Sequence, residues 1–305
     1  MLTALPLCKA LADETRLRLV RLLSEYELNV NELVSVLGMG QSRISRHLKI
    51  LADNGLVSSR RDGLWVFYEA DKDSPAMELV TTLRRMFPDQ EAETEDLSAA
   101  ARALEDRAHA TTRFFDSISD KWDKLSREIL GSLDLSGEIE MRLPQCGTAV
   151  DLGCGTGRLL DVLRRKSDYV IGVDSSSKML DAARHRLSEN GSHVSLRLGA
   201  LEHLPVRDGE ADCVVTSLVF HHLSEPRKGV AEASRVLKKD GVFILADFAK
   251  HQRETMRSRY GDRWLGFEHE EMDSWLDTYG FDVEESAEFP VNEGLFVRLL
   301  KTRKR

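Results

Sequence analysis

Apolar residues recur at helical spacing over the first 90 residues, then in short alternating runs from residue 148 onward. Leu11, Leu17, Leu19, Val20, Leu22 and Leu23 describe a helical pattern interrupted at Asp13, which reads as the N-cap of a helix from Asp13 to Ser24. Asn29 or Asn31 can cap a short helix holding Leu33, Val34 and Leu37. Gly38-Met39-Gly40 makes a turn, and a further helix runs from Gln41 to about Asn54 with Ile44, His47, Leu48 and Leu51 inward. Two short helices joined by a glycine-containing turn fit a helix-turn-helix. Asp62-Gly63 between two β-prone runs, 56–61 and 64–68, predicts a hairpin, hence a winged helix. A last helix, from about Ser74 to Phe87, carries Met77, Leu79, Val80, Leu83, Met86 and Phe87. So small a domain offers that surface few partners, and pairing with a second copy is expected.

Residues 89–112 are acidic, Ala-rich and poor in breakers, which predicts a helical connector. From residue 148 strands and helices alternate: strands at 148–152, 169–173, 194–198, 211–217 and 241–246, with helices at 157–165 and 178–187. Such alternation predicts an α/β domain with a doubly wound, mainly parallel sheet. The runs 281–289 and 295–302 lack a crossover helix and can close the sheet as an antiparallel pair. The expected organisation is therefore a winged helix at 1–88, a connector at 89–112 and a sheet domain at 113–305.

The length, 305 residues, agrees with about two domains. No run of 18 apolar residues suggests a membrane span, and the first residues do not read as a secretion signal, so a cytoplasmic location is expected. The four cysteines, Cys8, Cys146, Cys154 and Cys213, form no Cys-x-x-Cys pair, which argues against a disulfide framework or a zinc cage. Net charge is −8, but its distribution is uneven. Residues 1–88 hold 12 basic and 11 acidic side chains, against 31 and 40 in the remainder, so contact with DNA should be local and N-terminal. Gln41, Ser42, Arg43, Ser45, Arg46 and Lys49 lie opposite the apolar side of the second helix, where they can reach base edges and phosphates. Arg60 and Arg61 would sit near the tip of the hairpin.

The second domain opens with Val-Asp-Leu-Gly-Cys-Gly-Thr-Gly at 150–157. Gly153 and Gly155 allow a tight turn beneath a ligand, and Gly157 lets the next helix approach the strand. Asp174 ends the following strand, 23 residues after Asp151, where a carboxylate can accept hydrogen bonds from ribose hydroxyls. A nicotinamide dinucleotide is the competing ligand. The glycine spacing is not that of dinucleotide folds, and Asp151 precedes the first glycine, where a pyrophosphate would be repelled. An acid there suits a cation; S-adenosylmethionine carries an ammonium and a sulfonium. His221, His222, Asp247 and His251 can gather at the strand ends, either as a general base or as packing around the loop.

Residues 1–88 resemble the arsenic-repressor (ArsR/SmtB-type) winged-helix family through Leu-Ala-Asp-Glu-Thr-Arg-Leu-Arg-Leu-Val at 11–20, Gln-Ser-Arg-Ile-Ser-Arg-His-Leu-Lys-Ile-Leu at 41–51, and Gly-Leu-Val before the wing. The resemblance implies a homodimer that binds double-stranded operator DNA and represses. The metal sensors of that family carry Cys-Val-Cys where this chain has Asn29-Val30-Asn31, and residues 74–88 hold no histidine. Neither metal site is supplied, and no metal is expected.

Residues 113–248 resemble class I S-adenosylmethionine-dependent methyltransferases that act on small molecules. The resemblance implies that Asp151, Gly153 and Gly155 line the methionine moiety, that Cys154 and Gly157 belong to the same cofactor-binding loop, and that Asp174 binds the ribose. It places Ser175 and Met179 beside the adenine, matches Glu202 to Pro205 with the segment after the third strand and Ser217 to Leu223 with the loop after the fourth, and counts Ala200, Leu201 and Ser217 among the cofactor-binding residues. Phe114-Phe115-Asp116 through Trp122-Asp123 would form a lid, with Phe115 and Trp122 over the ligand. The family usually has Asp after the glycine of the third strand, to accept from the adenine amino group; this chain has Gly199-Ala200-Leu201.

Two functions follow from the combination. One is a repressor whose second domain senses S-adenosylhomocysteine or S-adenosylmethionine; fused chains of this architecture include methyl-cycle regulators that respond to the former. The other is an active small-molecule methyltransferase with a winged-helix appendage. No catalytic signature is legible, which methyl transfer, largely an alignment problem, does not require.

Overall fold

The computed structural model describes residues 4–71, 74–86, 90–187 and 193–305, and divides into two compact units, Met1–Arg107 and Ala108–Arg305. Phe87, assigned to the last helix of the winged domain, and residues 88 and 89 at the connector's border lie outside the described residues.

The first unit runs α1 (Ala4–Leu11), α2 (Glu14–Glu25), β1 (Leu28–Asn29), α3 (Val30–Leu37), α4 (Gln41–Asp53), β2 (Val57–Asp62), β3 (Trp65–Ala70), α5 (Ala76–Met86) and the first part of α6 (Gln90–Ile118). Asp13 caps α2 by accepting from the Arg16 N–H at 3.1 Å. Asn29 caps α3 in a reciprocal pair: its side chain accepts from the Glu32 N–H at 3.1 Å, and the Glu32 carboxylate accepts from the Asn29 N–H at 2.8 Å. Such a capping box satisfies two helix-end donors at once and contributes about 1 kcal/mol. Gly38, in the left-handed region at φ 63°, ends α3 and turns the chain into α4. Ile44, Leu48 and Leu51 on the inner side of α4 are fully buried with Leu19, Leu28 and Leu33.

Two expectations change. The hairpin turn is Gly63-Leu64 rather than Asp62-Gly63, because Asp62 pairs with Trp65 inside the ladder and is itself buried. Gly63 at φ 57° supplies the positive φ that a two-residue hairpin requires. The surplus apolar surface of α5 also has an internal partner. Ala100 and Leu104 of α6 are buried in the same cluster as Val80 of α5, with Met77, Leu79, Leu83 and Leu97 packed against it. Among the described apolar residues of α5, Met86 at its end stays largely exposed. Polar contacts fasten α6 as well: Arg18 forms a bidentate pair with Asp96, both bonds 2.7 Å, and Arg107 pairs with Glu32.

The second unit begins with the end of α6 and continues through α7 (Trp122–Leu130), α8 (Leu135–Arg142), β4 (Cys146–Leu152), α9 (Leu160–Lys166), β5 (Ser167–Asp174), α10 (Ser177–Leu187), β6 (Val194–Leu198), β7 (Ala211–Ser217), α11 (Pro226–Val236), β8 (Leu237–Phe248), α12 (Thr255–Tyr260), α13 (His269–Thr278), β9 (Phe281–Pro290) and β10 (Phe296–Lys304). Its seven strands are ordered β6-β5-β4-β7-β8-β10-β9. The five strands from β6 to β8 are parallel, and β10 runs antiparallel between β8 and β9. Burial on both faces explains the continuous apolar runs of β4, β7 and β8. Strand order reverses between β4 and β7, so a crevice opens beyond their C-terminal ends, where doubly wound sheets bind ligands. No helix among the described residues is long and apolar enough to cross a membrane.

Candidate functional site

On the first unit, Gln41, Ser42, Arg43, Ser45, Arg46 and Lys49 are all exposed along one side of α4. Gly40 precedes them as an N-cap without a side chain, leaving the partial positive charge of the helix N-terminus uncovered. The hairpin arginines part company. Arg61 is exposed and folds back to donate to the Gly63 carbonyl at 2.9 Å. Arg60 is half-buried, directly opposite Phe67 in the ladder, and forks onto Glu27 at 3.0 to 3.2 Å. The expectation of two tip arginines therefore holds for Arg61 only: adjacent strand residues face opposite ways, and Arg60 is drawn to the covered side.

On the second unit, β4 delivers Asp151 and the glycine loop to the crevice. Gly153, Gly155 and Gly157 take φ values of 74°, 50° and 82°, open to residues without a Cβ. A Cβ at Gly153 would lie 2.6 Å from Val219. At Gly157 the nearest neighbours of such a Cβ are Ala183 of α10 at 3.1 Å and Leu160 of α9 at 3.3 Å, so this glycine makes room for α10 as well as for the helix that follows it. The left-handed turn at Gly157 also delays α9 to Leu160, three residues later than its apolar pattern implies. Cys154 offers the loop only its backbone, donating to the Val173 carbonyl at 3.0 Å, while its thiol points into the core.

Asp151 is buried, and its Oδ2 has no hydrogen-bond partner among the described residues. Burial, reinforced by the nearby Asp174 carboxylate, pushes its pKa up to about 8. Asp174, at the end of β5, accepts from the Gly155 and Ser176 N–H groups, each at 2.8 Å. Burial raises it to about 6, the amide donors of Ser176, Gly155 and Ser175 holding back a larger rise. Ser175 follows, half-buried, and its hydroxyl accepts from Thr112 at 3.4 Å. Met179 is buried on α10, Leu201 is buried after β6, Ala200 beside it is exposed, and Ser217 ends β7 half-buried. Leu218 then adopts φ 58°, a left-handed conformation unusual for leucine, and reaches back to the Ala246 carbonyl.

The aromatic segment from Phe114 to Trp122 packs at the same end of the sheet. Phe115 meets Trp122 edge-on at 5.2 Å and the His222 ring at 4.7 Å. Trp122 is the nearest side chain to the Gly155 Cβ position, 3.7 Å away. Asp116 accepts from the Ser176 hydroxyl and Asp123 from the Thr156 hydroxyl, both at 2.6 Å, so the two ends of this segment are tied to the residue preceding α10 and to the glycine loop.

His221, His222 and Asp247 gather as the spacing implied. His221 Nδ1 lies 2.5 Å from an Asp247 oxygen, while the other Asp247 oxygen accepts from the N–H groups of Val219 and Phe220. Burial alone would lower the His221 pKa, but Asp247 and Asp262 outweigh it and raise it. His222 is lowered well below the usual range by burial and then by His221. His251 stands further out, its ring 5.9 Å from Phe248. Asp262 was not foreseen. It follows α12 and comes within 3.7 Å of His221 Nε2 because the N–H groups of Arg263 and Trp264 both donate to the His221 carbonyl. No local pattern marks a carboxylate delivered 41 residues downstream by a folded-back loop.

Residues 150–245 match the family model described as a methyltransferase domain, and residues 13–59 match that of the arsR family of bacterial regulatory proteins. The demethylmenaquinone methyltransferase of Thermotoga maritima is 33% identical over 165 residues, 51% of this chain and 70% of that protein. The arsenical resistance operon repressor of Escherichia coli is 47% identical over 76 residues, 25% of this chain and 65% of that protein. The chain spans from 30% to 72% of the length of curated relatives such as these. Among solved structures, the [4+2]-cyclase SpnF superposes with a TM-score of 0.54 at 17% identity, over 63% of this chain and 94% of that one, and shares the fold. The chain thus belongs, through its second unit, to the class I S-adenosylmethionine-dependent methyltransferase family, and its first unit carries a helix-turn-helix of the arsR family.

Proposed function

We propose that this protein is a DNA-binding transcriptional repressor whose methyltransferase-like unit senses S-adenosylhomocysteine or S-adenosylmethionine and controls methionine or methyl-cycle genes. The observation that carries this reading is the ion pair between Arg107 and Glu32. Metal sensors of the resembling family place thiolates at the start of this helix. Here Asn29 caps α3, and Glu32, the other half of that capping box, pairs with Arg107 on α6. The same helix continues to Thr112 and Phe115, beside Ser175 and His222 of the second unit. A signal that no longer enters through metal has a covalent route through α6.

In this reading Asp174 accepts from the ribose hydroxyls and Asp151 faces the ligand's ammonium. Gly153 and Gly155 approach the methionine moiety, Ser175 and Met179 flank the adenine, and Phe115 and Trp122 cover it. Ala200 brings no carboxylate to the adenine amino group, which leaves that contact to backbone. As the arsenic-repressor resemblance implies, and not on the α5 surface that α6 covers, two copies pair through their first units, and α4 of each enters a major groove of the operator.

The deciding experiment is fluorescence anisotropy of the DNA upstream of the protein's own gene, with S-adenosylhomocysteine, with S-adenosylmethionine and with neither. Tight binding released by one ligand supports the sensor and names the effector. Indifference to both ligands, or no binding, moves the conclusion to an active methyltransferase. The His221–Asp247 pair, a ready proton acceptor, is the observation on that side.

Asp151 gives the ligand site a pH signature. With a pKa of about 8 in the free protein, it is largely protonated at pH 6 to 7, and an ammonium requires it ionised. Affinity for S-adenosylhomocysteine is expected to rise by up to about tenfold per pH unit between pH 6 and 8 and then level off, with close to one proton released per chain near pH 7. Stability of the free protein runs the other way. The folded carboxyl keeps its proton where the unfolded one, with a pKa of about 4, has lost it, so stability falls as pH rises from 4 to 8. Calorimetry in buffers of different ionisation enthalpy counts the protons. A flat affinity across this range would remove Asp151 from the ammonium.

A further inference from the structure

We infer that His221, His222 and Asp262 form a binding site for one divalent first-row transition-metal ion, beside the lid aromatics of the second unit. One donor atom from each lies within 4.8 Å of the others, the single such group of buried residues among those described. A metal would need only a small inward shift of these side chains to reach bonding distance, about 2.0–2.2 Å for imidazole nitrogen and carboxylate oxygen.

The imidazoles are already oriented for this task. His222 Nδ1 faces the Gly261 carbonyl at 3.1 Å, so Nδ1 carries the proton and Nε2 presents its lone pair. That Nε2 is buried and has no hydrogen-bond partner among the described residues. His221 Nδ1 is engaged by the Asp247 carboxylate at 2.5 Å, which leaves its Nε2 on the side of Asp262, 3.7 Å away. A carboxylate or carbonyl holding the far nitrogen of each histidine is the outer-shell arrangement of metal-binding histidines. A histidine–aspartate pair acting only as a proton acceptor has no use for a second imidazole with an orphaned nitrogen set against it, the rings tilted at 53° with centroids 3.9 Å apart.

The donor chemistry narrows the ion. Two imidazole nitrogens and one carboxylate suit zinc or ferrous iron and leave coordination positions open for water or an acceptor heteroatom. Magnesium and calcium, which take oxygen ligands, fit poorly. Charge is accommodated too: the Asp247 and Asp262 carboxylates both act on His221, while Arg263 weighs on His222. The inference stands apart from ligand sensing, since it needs neither a nucleoside ligand nor DNA.

The test is titration of chelator-stripped, full-length protein with Co²⁺, read by its visible ligand-field bands. One Co²⁺ per chain is expected, displaced by Zn²⁺. His222→Gln and Asp262→Asn should each weaken binding about 100-fold, and Asp247→Asn, which acts through His221, about 10- to 100-fold. Thermal unfolding by circular dichroism checks that each variant is folded. Wild-type protein without a stoichiometric visible spectrum overturns the proposal whatever the variants do. So does a spectrum unchanged in folded His222→Gln, which would place the ion elsewhere.

Discussion

Replacing Asp174 by alanine is expected to raise the dissociation constant for S-adenosylhomocysteine by about 100-fold or more and to abolish its effect on operator binding. A carboxylate that accepts from two ribose hydroxyls makes charge-assisted bonds worth roughly 1.5–3 kcal/mol each, and about 1.4 kcal/mol is a factor of ten. The residue also holds the Gly155 and Ser176 N–H groups, so its loss loosens the glycine loop that receives the ligand. Asp174→Asn keeps the shape and part of the acceptor capacity and should fall between the two. Basal operator affinity should not change, since Asp174 lies in the second unit. Calorimetry gives the first quantity and anisotropy the second. Affinity within a few-fold of wild type would take the ribose away from Asp174. Loss of operator binding without any ligand would break the sensing model itself.

The paired substitution Arg43→Ala, Arg46→Ala should weaken operator binding by about 100-fold at moderate salt. A bidentate arginine contact to a base is worth roughly 1–3 kcal/mol of discrimination, and a phosphate contact about one unit of the salt slope. Binding measured across a salt series separates the two: a shallower slope marks phosphate contacts, and relaxed sequence preference marks base contacts. Both side chains are exposed, so thermal stability should hold to within about 0.5 kcal/mol. Operator affinity unchanged in the double variant would move the reading surface off α4.

Much of this arrangement was legible because it is local. The caps at Asp13 and Asn29, the turn at Gly38 and the inward set Ile44, His47, Leu48 and Leu51 each follow from a few neighbouring residues. Strands β6 and β7 have the bounds that their apolar runs imply, and β9 and β10 pair antiparallel as expected. What escaped depends on distance or on backbone handedness. A left-handed glycine shortens α9, and a one-residue shift in the hairpin turn buries Asp62. Arg60 is turned from the tip by Glu27, 33 residues away in the chain. Asp262 joins the histidines only through a loop that doubles back, and α6 is fastened by pairs such as Arg18–Asp96, separated by 78 residues. Composition marks that stretch as an acidic helix and nothing more.

The long helix α6 also governs how the chain can be divided. A fragment stopped at residue 88, the border its sequence suggests, forfeits Ala100 and Leu104 from its interior and leaves Arg18 and Glu32 without Asp96 and Arg107. A fragment begun after Ile118 keeps the sheet but loses Phe115, and with it the edge-on contacts to Trp122 and His222. Neither excised piece is the unit that exists in the whole protein. Dissection and transplantation of the two activities must carry the helix with each half, Gln90–Arg107 with the first and Ala108–Ile118 with the second, or work on the intact chain.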